Sequence, residues 1–586
     1  MEQLRAMLDE AIRLHQDGRV NEARAIYEGI IKTHPTHTDA LHLLGVAETQ
    51  GGRLCVATHL IAKAIALNPS VHAFYTNRGN ALKDLGLLDA AVTCFERAIA
   101  IKFDCAEAYC NRGIALTAQE QFDAAVGSFN AAIAAKTDFA EAYYSLGIAL
   151  GQLNQLRASV ASYDRAVAIK RDFAEAYLHR GLTQKALKQF HEAIASFDLA
   201  VAVRSDYAEA YSNRGNVLKE LKALDASVAS YVMAIVLKPD LAETYSNLGN
   251  ALLALNRPDD AVESLDRAIA LRPGFAEAHL NKSLVLLLTG HFDEGWELHE
   301  ARWETEGTRK YKRNFAQPLW LGGKPIGGKS ILLHAEQGLG DTIQFCRFAK
   351  SVAALGARVI MEVPRPLFGL LGNLEGVSEL IARDTALPAF DCHCPLVSLP
   401  LAFRTNLSNI PSSNAYLHSD NQKVSLWEGR LGSKTKARVG LVWSGNIGHA
   451  NDHNRSIALS SLIPYLPAGL EYVCLQREVR VVDQATLDQH REIRHFGERL
   501  SDFTDTAALC ELMDVVICVD SSVAHLSGAL GKTTWVLLPY VPDWRWLLGR
   551  VDSPWYPTVK LYRQDAKFDW YPVLERVNKD LKALLE

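Results

Sequence analysis

The chain has 586 residues, room for roughly four folding units at about 150 residues each. Its 48% hydrophobic and 22% charged residues exclude a disordered, collagenous or low-complexity chain. Lysine plus arginine (62) nearly balances aspartate plus glutamate (67), and the net charge of -5 includes no long block of either sign, so nucleic acid is not an expected partner.

The amino-terminal stretch carries Glu2 and Asp9 where a signal peptide needs a basic region and an apolar run, so export is not expected. Ten scattered cysteines form no disulfide framework, which points to a reducing cytoplasm. Apolar runs such as Leu284 to Leu288 and Val515 to Val519 fall short of the ~18 residues of a membrane span, so no transmembrane segment is expected.

Residues 1–306 are periodic. Tyr75, Tyr109, Tyr143, Tyr177, Tyr211 and Tyr245 recur every 34 residues, with Met7, Leu41 and His279 in the same register, for about nine repeats. Four residues later stands a glycine column, Gly45 through Gly249, and a second helix carries alanines (Ala23, Ala57, Ala91, Ala125, Ala193, Ala261) that let two helices approach closely. An aromatic column (Tyr27, Phe95, Phe129, Tyr163, Phe197, Tyr231) is expected to fill grooves between neighbouring helix pairs. Asp104, Asp138, Asp172, Asp206 and Asp240 each precede a glutamate by three residues, the spacing of a capping box at each first helix. Gly18, Gly52, Gly86, Asn154, Asn256 and Gly290 share a column where the chain should enter the left-handed region between helices. The period and columns resemble the tetratricopeptide repeat, which implies an all-α superhelix with a concave face.

Asn77, Asn111, Asn213, Asn247 and Asn281 form one further column inside the first helices, although asparagine is a poor helix former. A carboxamide can pair with both groups of a peptide backbone, so the column is a candidate acceptor-binding ladder; bonds to neighbouring helices are the alternative. A similar ladder holds protein substrates in the O-linked N-acetylglucosamine transferases, and that resemblance favours peptide binding.

A connector, 307–328, leads to a change of pattern. A strand (Ile331 to His334), a glycine turn (Gly338 to Asp341), a helix over 342–354 and a strand (Arg358 to Val363) begin one lobe, 329–430. Val439 to Gly445, a polar loop (446–455), a helix, and strands at Tyr472 to Leu475, Val515 to Val519 and Thr534 to Leu538 make a second, 436–586. Loops at the carboxyl ends of parallel strands are where open α/β sheets bind ligands.

Glu336 to Asp341 and Asp514 to Gly531 look like the two signature regions of the heptosyltransferase-like glycosyltransferases. The resemblance implies an α/β GT-B-type double Rossmann-like domain, with Gly340 near the donor, Asp341 as general base, and Asp520, Ser521 and His525 near the donor diphosphate. Ser522 stands where the family usually has glycine, and Arg455 replaces a frequent lysine. Read as chemistry, Asp341 can accept a hydroxyl proton, while Ser521, Ser522 and the following amides open a helix that favours a diphosphate. Helix capping by Asp341, a capping serine pair and a packed histidine are the structural alternatives. Glu336 is the next candidate base.

There is no Asp-x-Asp pair, so neither a metal nor another cofactor is expected. Cys392-His393-Cys394 reads as structural. The ring-rich segment Pro542 to Trp546, with Trp555 and Tyr556, stacks either on a base or sugar or between the lobes. Together these readings predict a cytoplasmic enzyme that transfers a sugar from a nucleotide sugar to serine or threonine of a protein acceptor, flagellin-like or another surface protein, with inversion. An inactive interaction scaffold and a glycan or lipid transferase are the alternatives.

Overall fold

The computed structural model describes residues 2–336, 338–411, 415–449 and 451–585. The chain divides into two compact units, Met1–Pro239 and Asp240–Glu586.

The first unit is a run of antiparallel helix pairs, from Glu2–Gln16 with Val20–Thr33 to Ala208–Glu220 with Leu224–Leu237. The aromatic column packs inside each pair rather than between pairs. A Cβ added at Gly79, Gly113 or Gly181 would lie 2.5, 2.6 and 2.6 Å from the rings of Phe95, Phe129 and Phe197, sixteen residues onward in the same repeat. The alanine column is fully buried, and where it is interrupted by serine the hydroxyl bonds back across the pair: Ser159 Oγ donates to Gly147 O and Ser227 Oγ to Gly215 O, each at 2.7 Å. Successive pairs are stapled by arginine. Arg180 donates from Nε to Ser196 Oγ in its own repeat (2.9 Å) and from Nη1 to Asp164 in the one before (3.0 Å).

The expected capping boxes do not form. The helices begin at Ala106, Ala140, Ala174 and Ala208, with Cys105, Phe139, Phe173 and Tyr207 at the cap position and no side-chain cap bond. The aspartates therefore stand one residue outside the cap, and the glutamates lie in the first turn, where the helix dipole favours negative charge. Glu141 and Glu175 instead pair with Lys170 and Arg204, the cations that end the second helix of the repeat. The left-handed column is present, with φ of 78, 74, 77, 57, 57 and 87° at Gly18, Gly52, Gly86, Asn154, Asn256 and Gly290. Glu120, Lys188 and Lys222 occupy the same column at 59, 60 and 61°.

The second unit begins with two further helix pairs, Ala242–Ala254 with Pro258–Leu271 and Ala276–Thr289 with Phe292–His299, followed by a 3-10 turn, Glu300–Glu304. Two wholly parallel sheets follow. The first comprises β1 (Ser330–His334), β2 (Arg358–Val363), β3 (Glu379–Ala382) and β4 (Cys392–Pro395), in the order β3-β2-β1-β4. The second comprises β5 (Arg438–Val442), β6 (Glu471–Cys474), β7 (Ile493–His495), β8 (Val515–Val519), β9 (Thr534–Leu538) and β10 (Val559–Arg563), in the order β10-β9-β8-β5-β6-β7. Cys392-His393-Cys394 is thus strand backbone, with His393 Nδ1 3.2 Å from His334 Nε2. The helix expected over 342–354 is two, Leu339–Phe345 and Phe348–Ala354.

The last helix pair is part of the sheets' core. Trp296 is 1% exposed, packs edge-on against Trp544 and donates from Nε1 to Thr405 O at 3.0 Å. Asn421–Leu431 packs on the second sheet's side, where Trp427 Nε1 donates to Asp505 (3.0 Å) and Lys423 pairs with the same carboxylate (2.7 Å).

Candidate functional site

Three loops at carboxyl ends of central strands build the site. The first leaves β1 and enters the helix Leu339–Phe345; Gln337 in its motif lies outside the described residues. The second leaves β5 and reaches Arg455, with Ala450 likewise outside them. The third leaves β8 through Asp520 and Ser521 into the helix Ser522–Ala529.

Gly340 brings the first and third together. A Cβ there would sit 2.9 Å from the His525 ring and 3.6 Å from Ser522 Cα, so only glycine permits this approach. Two segments almost two hundred residues apart thereby meet at one cleft edge.

Asp341 has both oxygens engaged. Oδ2 accepts from the Gly338 amide at 2.8 Å, closing the first turn of its helix, and Oδ1 accepts from Arg545 Nη2. The capping alternative is therefore realised, together with an ion pair from the opposite lobe. Arg545 also donates from Nε to Gln344 Oε1 and from Nη1 to Asp543 Oδ1, each at 2.8 Å, and its guanidinium lies 4.2 Å from the Trp544 ring centre. Burial works against the charge on Arg545, but Asp543 and Asp341 outweigh it and raise the guanidinium's pKa.

Burial pushes the Asp520 carboxyl up to about 6, reinforced by the neighbouring charge of Asp543. Its carbonyl accepts from Arg455 Nη1 at 2.9 Å. The Arg455 guanidinium lies so close over Gly445 that a Cβ there would be 2.7 Å away. Ser521 occupies the cap position of its helix without capping it, and its buried Oγ has no partner among the described residues. Buried polar groups are almost always satisfied, so this hydroxyl, at a helix start whose preceding carbonyl is held by Arg455, is a candidate ligand contact.

His525 is 5% exposed. Its Nδ1 lies 3.0 Å from the Tyr556 hydroxyl and its ring stacks on Trp546 at 5.3 Å. Burial, with Arg545 nearby, lowers its pKa to about 3, so the imidazole stays neutral. The packed-histidine reading thus holds, and the ring remains at the cleft edge against Gly340. The ring-rich segment packs between the lobes: Trp544, Trp546, Trp555 and Tyr556 are all buried, so none is a free stacking platform.

Glu336 is also buried, and Arg302 Nη2 bridges its two oxygens at 3.0 and 3.1 Å. Burial pushes its carboxyl up to about 7 although Arg302 pulls the other way. Enclosed in this way, it does not meet an incoming hydroxyl.

The asparagine column is half-buried throughout. In the first unit, Asn77 Nδ2 lies 2.8 Å from His42 Nε2 of the preceding repeat, and Asn213 Nδ2 donates to Glu209 O at 3.0 Å. In the second, Asn281 Nδ2 donates to Ser246 Oγ at 3.2 Å. Part of the column's capacity is thus spent within the array; Asn111 and Asn247 stand at equivalent positions on their helices.

Sequence reasoning missed Arg545 and Gln344 as site residues. No motif marks them, and only the meeting of the lobes places Arg545 on Asp341 and on Gln344. Among the described residues no group of three or more histidine, cysteine, aspartate or glutamate side chains gathers as for a metal ion. No described helix is long and apolar enough to cross a membrane.

Models of the tetratricopeptide repeat match residues 110–172, 174–207 and 242–275, and a TPR repeat model matches 79–119 and 215–256. Protein FlbA of Caulobacter vibrioides is 26% identical over 331 residues, which cover 51% of this chain and 54% of that protein. The chain therefore spans about half the length of this curated relative. Among solved structures, the APC/C hetero-tetramer Cut9-Hcn1 aligns at 17% identity and a TM-score of 0.34, covering 48% of this chain and 55% of the other. YrrB, described as a TPR protein with an unusual peptide-binding site, aligns at 22% identity and a TM-score of 0.26, covering 38% and 98%. The helical half of the chain is an array of tetratricopeptide repeats.

Proposed function

We propose that the two sheet-bearing lobes form a metal-independent glycosyltransferase and that the repeats present its protein acceptor. The observation that carries this reading is the unpartnered, buried Ser521 hydroxyl at a helix start whose preceding carbonyl is held by Arg455, on the helix that meets Gly340, the neighbour of Asp341. In this reading the donor diphosphate takes hydrogen bonds from Ser521, the amides from Ser522 onward and Arg455, with neutral His525 at the edge of the same contact. Asp341 takes the proton of an acceptor serine or threonine hydroxyl. The acceptor oxygen forms its bond to the anomeric carbon as the bond to the diphosphate breaks, and that electron pair leaves with the nucleoside diphosphate. Attack from the face opposite the leaving group inverts the anomeric centre. Asn77, Asn111, Asn213, Asn247 and Asn281 hold the acceptor backbone; a flagellin-like or other surface protein made in the cytoplasm suits such an array.

Calorimetry with UDP, GDP and dTDP sugars on the whole chain tests the donor half. Binding of one nucleotide family, unaffected by a chelator, is expected; no binding to any of them removes the reading. The pairing of both Asp341 oxygens favours one rival, an interaction scaffold in which that carboxylate only joins the lobes. Transfer of sugar by the wild type excludes it.

A further inference from the structure

Arg545 is committed on every side. Its three nitrogens donate to Gln344, Asp543 and Asp341, its plane lies over Trp544, and its side chain is 10% exposed. Three of the guanidinium's five N–H donors are spent on protein partners, and it is rigid because a planar fork held at three points cannot rotate. What it holds is Asp341, whose other oxygen is fixed by the Gly338 amide. The carboxylate, with an 18% exposed side chain, is thus oriented from two directions and still reachable from the cleft.

The two anchors belong to different lobes. Gly338 is on the loop that follows β1, whereas Arg545 follows β9 of the second sheet. Gln344, one helical turn beyond Asp341, gives Arg545 a second first-lobe contact, so the arginine reads the position of the whole helix Leu339–Phe345.

We propose that Arg545 is a positioning residue for the base: from the second lobe it aligns the Asp341 carboxylate of the first for proton removal. This rests on the transferase reading above. It adds that the base on the first lobe is set by a residue of the donor-binding lobe.

The test compares wild type with Arg545→Lys, Arg545→Gln, Asp341→Asn and the double variant Asp341→Asn/Arg545→Gln, all as the full chain. Thermal melting establishes which are folded. Release of nucleoside diphosphate from UDP, GDP and dTDP sugars is then followed with a serine- and threonine-containing peptide pool. Arg545→Gln is expected to lower kcat by about 10²-fold, the lower range for misplacing a general base, with KM for the nucleotide sugar changed less than about threefold. Arg545→Lys, which keeps a cation but not the fork, should recover part of the rate, and the double variant should be no slower than Asp341→Asn alone. Equal rates in wild type and Arg545→Gln overturn the proposal and leave the transferase reading standing. So does a loss in Arg545→Gln that falls on KM, or a double variant slower than Asp341→Asn by the full factor. If Arg545→Gln does not fold, Arg545→Lys decides: a wild-type kcat there shows that the fork is not needed and overturns the proposal. A wild type that turns over none of the nucleotide sugars overturns the transferase reading and this inference with it.

Discussion

Ser521 and His525 show how burial assigns work to single side chains. The Ser521 hydroxyl is enclosed yet unpaired, a state that costs about 1–3 kcal/mol unless a ligand relieves it. Ser521→Ala should therefore leave thermal stability unchanged or slightly raised while weakening nucleoside diphosphate binding about tenfold. Melting curves and calorimetry together check this, and a large stability loss would mean that the hydroxyl has a structural partner. Three histidines make a second prediction. His42, His334 and His525 are buried, and burial lowers their pKa values to about 4, 3 and 3. An unfolded imidazole titrates near 6.5, so below that pH the unfolded chain binds protons that the native chain refuses. Stability is thus fully present above about pH 6.5 and falls as pH drops toward the folded values, by on the order of 2 kcal/mol per histidine at pH 5. Melts of wild type and His334→Gln between pH 7.5 and 5 should diverge, with the variant losing less; parallel curves would refute the assignment.

Helix pairs in the array differ in how they make the same turn. Six repeats place glycine or asparagine in the left-handed column, while Glu120, Lys188 and Lys222 adopt it although they carry a Cβ. That conformation costs an ordinary residue about 1–2 kcal/mol. Lys188→Gly should stabilise the array by about 1 kcal/mol, measured by urea unfolding, with no change in secondary structure. A destabilised glycine variant would show that the lysine stem packs productively enough to offset the strain. The failure of the aspartate-glutamate spacing to make capping boxes belongs here too. The chain starts each helix where alanine can enter the packed pair, and this interior demand outranks a cap worth about 1 kcal/mol.

The compact units do not divide where the repeat pattern stops. Trp296, His299 and Arg302, all before residue 306, are buried with groups from the sheets, and Arg302 neutralises the buried Glu336. A fragment 307–586 would leave Glu336 enclosed and unpaired and remove Trp296 from the Trp544 cluster, so it should be insoluble or molten. A fragment 240–586 should fold, with a cooperative melt and near-ultraviolet signal from its tryptophans. The reverse result would show that the repeat pattern marks the folding boundary. Much of this molecule was legible in the chain. Tyrosines every 34 residues specify helix pairs, because each unit buries its apolar face only against copies of itself, and a local pattern then suffices. Strands β8 and β9 were equally legible as near-continuous apolar runs, the mark of a sheet covered on both faces. β3, β4, β7 and β10 were not: the first three have only three or four residues, and Lys560 and Arg563 interrupt the apolar pattern of β10. Gly340, Asp341, Ser521 and His525 were singled out as candidates by motif, since a turn at a strand's end is a local event. Arg545 on Asp341 and Arg302 on Glu336 were not, because an ion pair across 204 or 34 residues depends on how lobes meet, and no spacing along the chain encodes that distance.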